Sequence, residues 1–248
     1  MLGPELEDEM RLEGSVALIT GASKGLGLEI ARLYAERGAR LVITARGADA
    51  LERAAAELRR KTEVVALALD VSEEAERLVE AALERFGRID VLVNNASELG
   101  PSPMPALESI SWRDMERILR VNVTAPLHLT QLVLPQMRTR GLGIIINVTS
   151  DAGVEAYAGW GGYGASKAAL EHLSRVLAEE LAGSGIRVYT VDPGDMNTEM
   201  HRLAEPGVDL SALPGPEVAA PAFVRLVEEE QAAFGRFQAQ AMETAVGG

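Results

Sequence analysis

Along the chain, short uninterrupted apolar runs alternate with longer segments in which apolar residues recur every three or four positions. Val16–Thr20, Leu41–Thr44, Val64–Leu69, Val91–Val93, Ile144–Val148 and Val188–Val191 are the short runs. Runs of this length without polar alternation fit strands buried on both faces. Segments 26–37, 49–61, 73–86, 112–137 and 163–182 carry the helical period; in the first, Leu26, Ile30, Leu33 and Tyr34 share a face. Local chemistry marks helix ends. Gly38 stops the first helix, Ser72 is placed to cap the third and Gly87 to end it, and Ser111-Trp112-Arg113-Asp114 has the form of a capping box opening the fourth. Residues 235–240 predict a last edge strand. Strands apolar on both faces, alternating with helices, predict an α/β fold: a doubly wound parallel sheet with helices on both faces. No repeat or linker divides the pattern, so residues 1–248 are expected to form a single domain. The Pro/Gly-rich stretches at 100–105 and 205–216 read as loops over a site.

Composition narrows the class. Cysteine is absent, which excludes a disulfide scaffold and a zinc–thiolate site. Asp plus Glu number 37 against 24 Lys plus Arg, a formal charge of -13. Such a chain repels phosphate backbones, so nucleic acid is not an expected partner. Met1–Glu13 is acidic and holds no apolar run, so it does not read as a secretory signal. No apolar stretch approaches the roughly 18 residues that span a bilayer. The expectation is a soluble cytoplasmic protein acting on a small molecule. Lysine occurs at only three positions, Lys24, Lys61 and Lys167, in a chain that otherwise uses Arg. Arg and Lys differ in shape and titration, so the retained lysines mark places to look for chemistry.

Thr20-Gly21-Ala22-Ser23-Lys24-Gly25-Leu26-Gly27 lies between the first strand and the first helix. Glycines here can make a tight turn, let backbone approach a pyrophosphate, and bring helix close to strand. Phosphates then meet the free N–H groups and dipole of the helix N-terminus. Gly21, Ser23, Lys24, Gly25, Leu26 and Gly27 are therefore candidate dinucleotide-binding residues. The same stretch also matches G-x-S-x-G, the nucleophile elbow of α/β-hydrolases, with Asp192 and His201 following in the required order. The elbow normally follows several strands, and no oxyanion loop of the HGG type precedes this one, so the hydrolase is the weaker reading. The second strand ends Thr44-Ala45-Arg46-Gly47, with an Arg and no carboxylate. A carboxylate there would hold the ribose 2′-hydroxyl of NAD, whereas Arg suits the 2′-phosphate of NADP. Arg46 and Lys24 thus favour NADP(H), with NAD(H) as the alternative. Asp70 and Val71, at the end of the third strand, are candidates for the adenine end; helix capping is the alternative role for Asp70.

Tyr163-Gly164-Ala165-Ser166-Lys167 puts a phenol and an ammonium at i and i+4 on one helix face. A free phenol has a pKa near ~10, and a neighbouring cation lowers it towards the range useful for proton transfer. Ser150 follows the fifth strand, where a hydroxyl can orient a carbonyl. Asn122 falls inside the long fourth helix, where its side chain or a freed backbone carbonyl could bind a water behind Lys167.

Taken together, Thr20-Gly21-x3-Gly25-x-Gly27, Asp70, Asn94-Asn95-Ala96, Asn122, Ser150, Tyr163-x3-Lys167 and Pro193-Gly194 make the sequence resemble a short-chain dehydrogenase/reductase of the single-domain type, from about residue 14 to 200. The resemblance implies a Rossmann-like sheet of about seven strands and an NAD(P)-dependent interconversion of carbonyl and alcohol. It implies Tyr163 as general acid/base, Lys167 lowering its pKa and holding the nicotinamide ribose, Ser150 steadying the substrate oxygen, and Asn122 completing a proton relay through water. It implies cofactor contacts from Asn94, Ala96, Pro193, Gly194 and Thr198, and a homodimer or homotetramer. Two features depart from the family: Ser97 stands where glycine usually follows Asn-Asn-Ala, and residues 234–248 lack the usual strand-to-glycine ending.

Three loops, 97–106, 151–162 and 195–214, should surround the nicotinamide, offering Met104, Tyr157, Trp160, Met196, Met200 and Leu203 as apolar wall. They suit a small, partly apolar carbonyl compound, with residues 195–215 as a substrate loop. A 3-oxoacyl-carrier-protein reductase would want a basic mouth; Glu179-Glu180 argue against it, while Arg138 and Arg140 keep it as a minor alternative. A dinucleotide-binding regulator without catalysis is the alternative from another class, and the intact Asn122, Ser150, Tyr163 and Lys167 set argues against it.

Overall fold

The computed structural model describes residues 10–244. Residues 1–9 and 245–248, included in the single-domain expectation, lie outside the described residues. Seven strands, β1 Val16–Thr20, β2 Arg40–Ala45, β3 Val64–Ala68, β4 Val91–Asn94, β5 Gly143–Val148, β6 Ile186–Asp192 and β7 Phe234–Gln238, form one sheet of order β3-β2-β1-β4-β5-β6-β7. Every neighbouring pair is parallel. The register sets Leu18 of β1 between Val42 of β2 and Leu92 of β4. The strand order reverses between β1 and β4, which opens a crevice at their carboxyl ends, the usual place for a ligand in such a sheet.

The described helices are α1 Gly25–Glu36, α2 Ala48–Leu58, α3 Ala75–Phe86, α4 Trp112–Leu119, α5 Ala125–Arg140, α6 Gly161–Glu180, α7 Glu199–Ala204, α8 Ala220–Glu228 and α9 Ala239–Thr244. One sheet face packs α1, α2 and α8 through Tyr34, Leu51 and Phe223. The other packs α3, α5 and α6 through Leu78, Leu129 and Ala178. Each large apolar side chain buried this way contributes about 1.5–3 kcal/mol. The buried Tyr34 hydroxyl donates to the Phe223 carbonyl at 3.0 Å, which joins α1 to α8 without leaving a polar group unpaired.

Two local expectations change. Ser72 does not cap α3; the helix begins at Ala75, and Ser72 instead gives both its N–H and its hydroxyl to Asp70 Oδ1, at 2.9 and 2.7 Å. The carboxylate wins because it is the stronger acceptor two residues away. Gly87 ends α3 in the left-handed conformation, as expected. The single helix predicted over 112–137 is interrupted: Ser111 caps α4 by accepting the Asp114 N–H, but residues Arg120–Thr124 form a π-turn before α5 continues to Arg140. That wide turn contains Asn122, and a π-turn shifts carbonyls off their i+4 partners. The last strand pairs parallel to β6 over 234–238, with α9 following.

Candidate active site

β1 ends at Thr20, and the chain enters α1 through Gly21 and Gly25, at φ +68° and +57°. These left-handed values favour glycine. A Cβ on Gly27 would lie 2.5 Å from the Gly21 carbonyl oxygen, so helix and turn meet as closely as backbone permits. The turn is stapled from β4. Asn95 Nδ2 donates to the Thr20 and Gly21 carbonyls at 2.8 and 3.2 Å, and Thr20 Oγ1 accepts the N–H groups of Asn95 and Ala96 at 3.0 and 2.9 Å. No side chain caps α1, so its first N–H groups face the crevice.

The crevice is a cavity of about 890 Å³. Its walls hold Gly21, Ser23, Lys24, Gly25 and Leu26 from the turn, Arg46 after β2, Asp70 and Val71 after β3, and Ala96 after β4. Ser150, Tyr163 and Lys167 line it from the β5–α6 side, and Pro193, Gly194 and Thr198 from the segment after β6. Three expected site residues are not in the wall. Gly27 sits behind the turn, where it permits the close approach just described. Asn94 is buried beneath, its Nδ2 donating to Asn147 at 2.8 Å; Asn147 in turn donates to Ser174 at 2.8 Å. Asn122 is buried in the π-turn with its amide fully used. Its oxygen accepts the Glu98 N–H at 2.7 Å and the Ser97 hydroxyl at 3.2 Å, and its nitrogen donates to the Glu98 carbonyl at 2.8 Å and Ser166 Oγ at 2.9 Å. Its side chain therefore has no valence left for a water, which leaves the backbone of the π-turn as the only route to such a contact.

Tyr163 and Lys167 lie one turn apart on α6, both buried. Lys167 Nζ stands 5.4 Å from the Tyr163 ring centroid and donates to the Val148 carbonyl at 2.9 Å. Burial pushes the lysine down to about 7. Burial pushes the Tyr163 phenol well above its ordinary value, the hydroxyls of Ser97 and Ser150 pull it down, and the charges of Asp192 and Asp151 push it up. Both members are pushed towards their neutral forms, because both are taken out of water. Ser150 Oγ donates to Asp151 Oδ1 at 2.9 Å. Burial pushes Asp151 up, but hydrogen bonds from Tyr157, Ser150 and the Ala152 N–H outweigh it and leave the carboxyl below its usual value. Trp160 sets its edge against Tyr163, with centroids 5.9 Å apart.

Trp160, Met196, Met200 and Leu203 form the expected apolar wall; Met104 and Tyr157 do not line the cavity. Lys24 and Arg46 already have partners: Lys24 pairs with Glu199 at 2.7 Å and Arg46 with Glu98 at 3.4 Å. The hydrolase alternative is excluded by geometry. His201 contacts the Met196 carbonyl and Glu205 rather than Ser23, and Asp192 is held by the Gly194 N–H and Arg236, so no triad assembles. Sequence reasoning missed four residues: Ser97 and Asp151 beside the phenol and its serine, and Glu98 and Glu199 on the cations. The departure from glycine at position 97 was the one signal. Among the described residues no cluster of three metal-ligating side chains occurs, and no helix is long and apolar enough to cross a membrane.

The short chain dehydrogenase family model matches residues 15–208. The chain is 36% identical over 195 residues to 7alpha-hydroxysteroid dehydrogenase from Escherichia coli K12, covering 77% of this chain and 75% of that protein. Among solved structures it is similar to a metagenomic short-chain oxidoreductase in complex with NADP, with a TM-score of 0.78 and 32% identity over 92% of this chain and 98% of that one. It is also similar to 3-ketoacyl-(acyl-carrier-protein) reductase from Brucella melitensis complexed with NADH, with a TM-score of 0.82 and 31% identity over 92% and 97% of the two chains.

Proposed function

The chain belongs to the short-chain dehydrogenase family, and from that premise we propose that it interconverts a carbonyl and an alcohol on a small, partly apolar molecule, with NADP(H) as cofactor and the Tyr163 hydroxyl as proton donor and acceptor. The coarser part is a property of the family it matches: an oxidoreductase acting between CH–OH and C=O with a nicotinamide dinucleotide. The observation that carries the finer reading is that Tyr163, Lys167 and Ser150 share one cavity with the glycine turn.

The residues fit the cofactor. The close Gly21–Gly27 approach leaves room for phosphate at the uncapped start of α1, and the remaining wall runs from there to Tyr163. When bound, the nicotinamide supplies or accepts the hydride. In reduction Tyr163 would give its hydroxyl proton to the carbonyl oxygen as the hydride reduces the carbonyl carbon to the alcohol, and a solvent proton would restore the phenol. Lys167, when protonated, lies near enough to stabilise the phenolate left behind. Trp160 and the methionines exclude water and accept apolar substrate surface. Asn122 holds the Ser97–Glu98 segment against α6 and acts as a positioning residue. Arg46 and Lys24 favour the 2′-phosphate, which must compete with Glu98 and Glu199 for them. A non-catalytic binder would have no use for a lysine buried beside a buried phenol. We also infer a cytoplasmic homo-oligomer, supported by Leu127 and Val176, which leave apolar surface on the outer sides of α5 and α6.

The test is NADPH oxidation, followed at 340 nm, across a panel of small ketones and aldehydes. Turnover of at least one partly apolar carbonyl, faster with NADPH than with NADH, is expected. A chain that binds NADPH and oxidises it with no carbonyl would refute the reading.

A further inference from the structure

β6 ends at Asp192, and the turn that follows, Pro193-Gly194-Asp195, lines the cavity. The register places this turn beside the lysine of α6: Val191 pairs with Val148, the Thr149 N–H donates to the Val191 carbonyl at 2.8 Å, and the Val148 carbonyl accepts from Lys167. Within the turn, the Gly194 N–H donates to Asp192 Oδ1 at 3.0 Å. Further support comes from the C-terminal segment. The β6–β7 register sets Gln238 opposite Asp192, so the first turn of α9 lies against the cavity turn. There the Gln240 side-chain nitrogen donates to the Pro193 and Asp195 carbonyls at 3.1 and 3.0 Å. Two carbonyl acceptors take both amide hydrogens, which fixes the orientation of the amide. The fit requires glycine between them: Gly194 has φ +73°, and a Cβ there would lie 2.7 Å from Gln240 Nε2. Arg236 of β7 adds a second hold, pairing with Asp192 at 3.6 Å and with Glu171 at 3.0 Å. Both carboxylates are buried, and Glu171 stands one turn after Lys167 on α6. Arg236 thus ties the start of the cavity turn to the helix that carries Tyr163 and Lys167. Neither Gln240 nor Arg236 lines the cavity.

We propose that Gln240, backed by Arg236, is a positioning residue for the nicotinamide end of the cofactor: from behind the wall it holds the Pro193–Asp195 turn in the shape that seats the ring beside Tyr163. The proposal rests on the reading that this cavity binds a nicotinamide dinucleotide and that Tyr163 moves the proton. The turn leads directly into Met196 and α7, so the same hold sets the apolar wall of Met196, Met200 and Leu203. The glycine turn at the other end of the cavity is stapled independently, by Asn95 and Thr20. Loosening the C-terminal hold therefore weakens the nicotinamide end and spares the phosphate end. Gln240 and Arg236 both lie in residues 234–248, the stretch that departs from the family's usual ending. A net hydrogen bond shifts an equilibrium by about two- to tenfold, so losing two weighs roughly tenfold or more against the fixed turn.

The experiment compares Gln240→Met, Gln240→Glu and the control Gln238→Met with wild type. Methionine keeps the length of Gln240 and removes its donors; glutamate keeps its shape and turns acceptor oxygens towards two carbonyls. Gln238 is exposed two residues earlier. Each protein is titrated with NADPH and with 2′-phospho-ADP-ribose, the part of NADPH that lacks the nicotinamide. In both Gln240 variants the NADPH Kd should rise about tenfold while the fragment Kd stays within about twofold. At saturating NADPH, with the fastest carbonyl of the panel, kcat should fall by about ten- to a hundredfold, the cost of a small misplacement of reacting groups. Gln238→Met should match wild type throughout. A second measurement needs neither cofactor nor substrate: the N–H groups of Gly194, Asn197 and Thr198, bonded in the cofactor-free protein, should exchange hydrogen faster in Gln240→Met than in Gln238→Met. A wild type that binds no NADPH, or reduces no carbonyl, refutes the functional reading and this proposal with it. An active wild type whose Gln240→Met variant keeps its NADPH affinity, kcat and exchange rates overturns this proposal alone. So does a variant that loses NADPH and fragment affinity equally, since Gln240 would then serve general packing and not the nicotinamide end.

Discussion

Replacing Lys167 by methionine exposes how the site is built. The side chain is 2% exposed, and burial takes its pKa from the ordinary 10.5 to about 7. The folded value lies below the unfolded one, so between pH 7 and 10.5 the unfolded chain holds more protons than the folded chain. Stability from this group must therefore rise with pH across that window, and the burial penalty is greatest below pH 7. The fall from 10.5 to about 7 corresponds to roughly 5 kcal/mol over the whole window, and about 2 kcal/mol of it falls between pH 7 and 9. Methionine fills a similar volume and does not titrate. Urea unfolding of wild type and Lys167→Met at pH 7, 8 and 9 should show wild type gaining about 2 kcal/mol relative to the variant across that range. The variant should be the more stable of the two at pH 6. A stability difference that does not change with pH would mean that Lys167 titrates as if in water, and the picture of a desolvated lysine beside a desolvated phenol would be wrong.

Gly27→Ala forces a Cβ to within 2.5 Å of the Gly21 carbonyl, a backbone atom that cannot swing aside. Overpacking of this kind costs about 1–3 kcal/mol, so Tm should fall by several degrees and the NADPH Kd, read by fluorescence titration, should rise at least tenfold. Unchanged affinity would remove the glycine turn from the cofactor site. Arg46→Ala should weaken NADPH binding by roughly tenfold, in keeping with one lost charge-assisted bond, while leaving NADH within about twofold. Equal effects on the two cofactors would withdraw the NADP preference.

The sheet was legible because β1, β4, β5, β6 and the middle of β2 are buried on both faces, so each appears as a run that no solvent-facing residue interrupts, whereas the edge strands β3 and β7 are only half-buried. The glycine turn, the Tyr163–Lys167 pair and Ser150 were legible because each is a local spacing. What stayed hidden depends on distant partners. The π-turn at Arg120–Thr124 leaves no mark on helical periodicity; Asn122 there is satisfied by Ser97 and Glu98 on one side and Ser166 on the other. The direction of the Tyr163 shift followed from burial, and an i, i+4 spacing says nothing about burial. Glu98 and Glu199 carry no local signal, since the fold alone brings them to Arg46 and Lys24. Ser72 looked like a cap because nothing in the sequence ranks it against the carboxylate two residues before it.

The central claim is that the Tyr163 hydroxyl moves the proton in a site whose cofactor pocket does not depend on it. Tyr163→Phe deletes one oxygen and keeps the ring against Trp160. General acid–base catalysis is worth about 10²–10⁴-fold. The measurement is carbonyl-dependent NADPH oxidation and NADPH affinity in the same Tyr163→Phe preparation: kcat should fall by that factor or more with Kd within about threefold of wild type. Turnover at a wild-type rate would contradict the account.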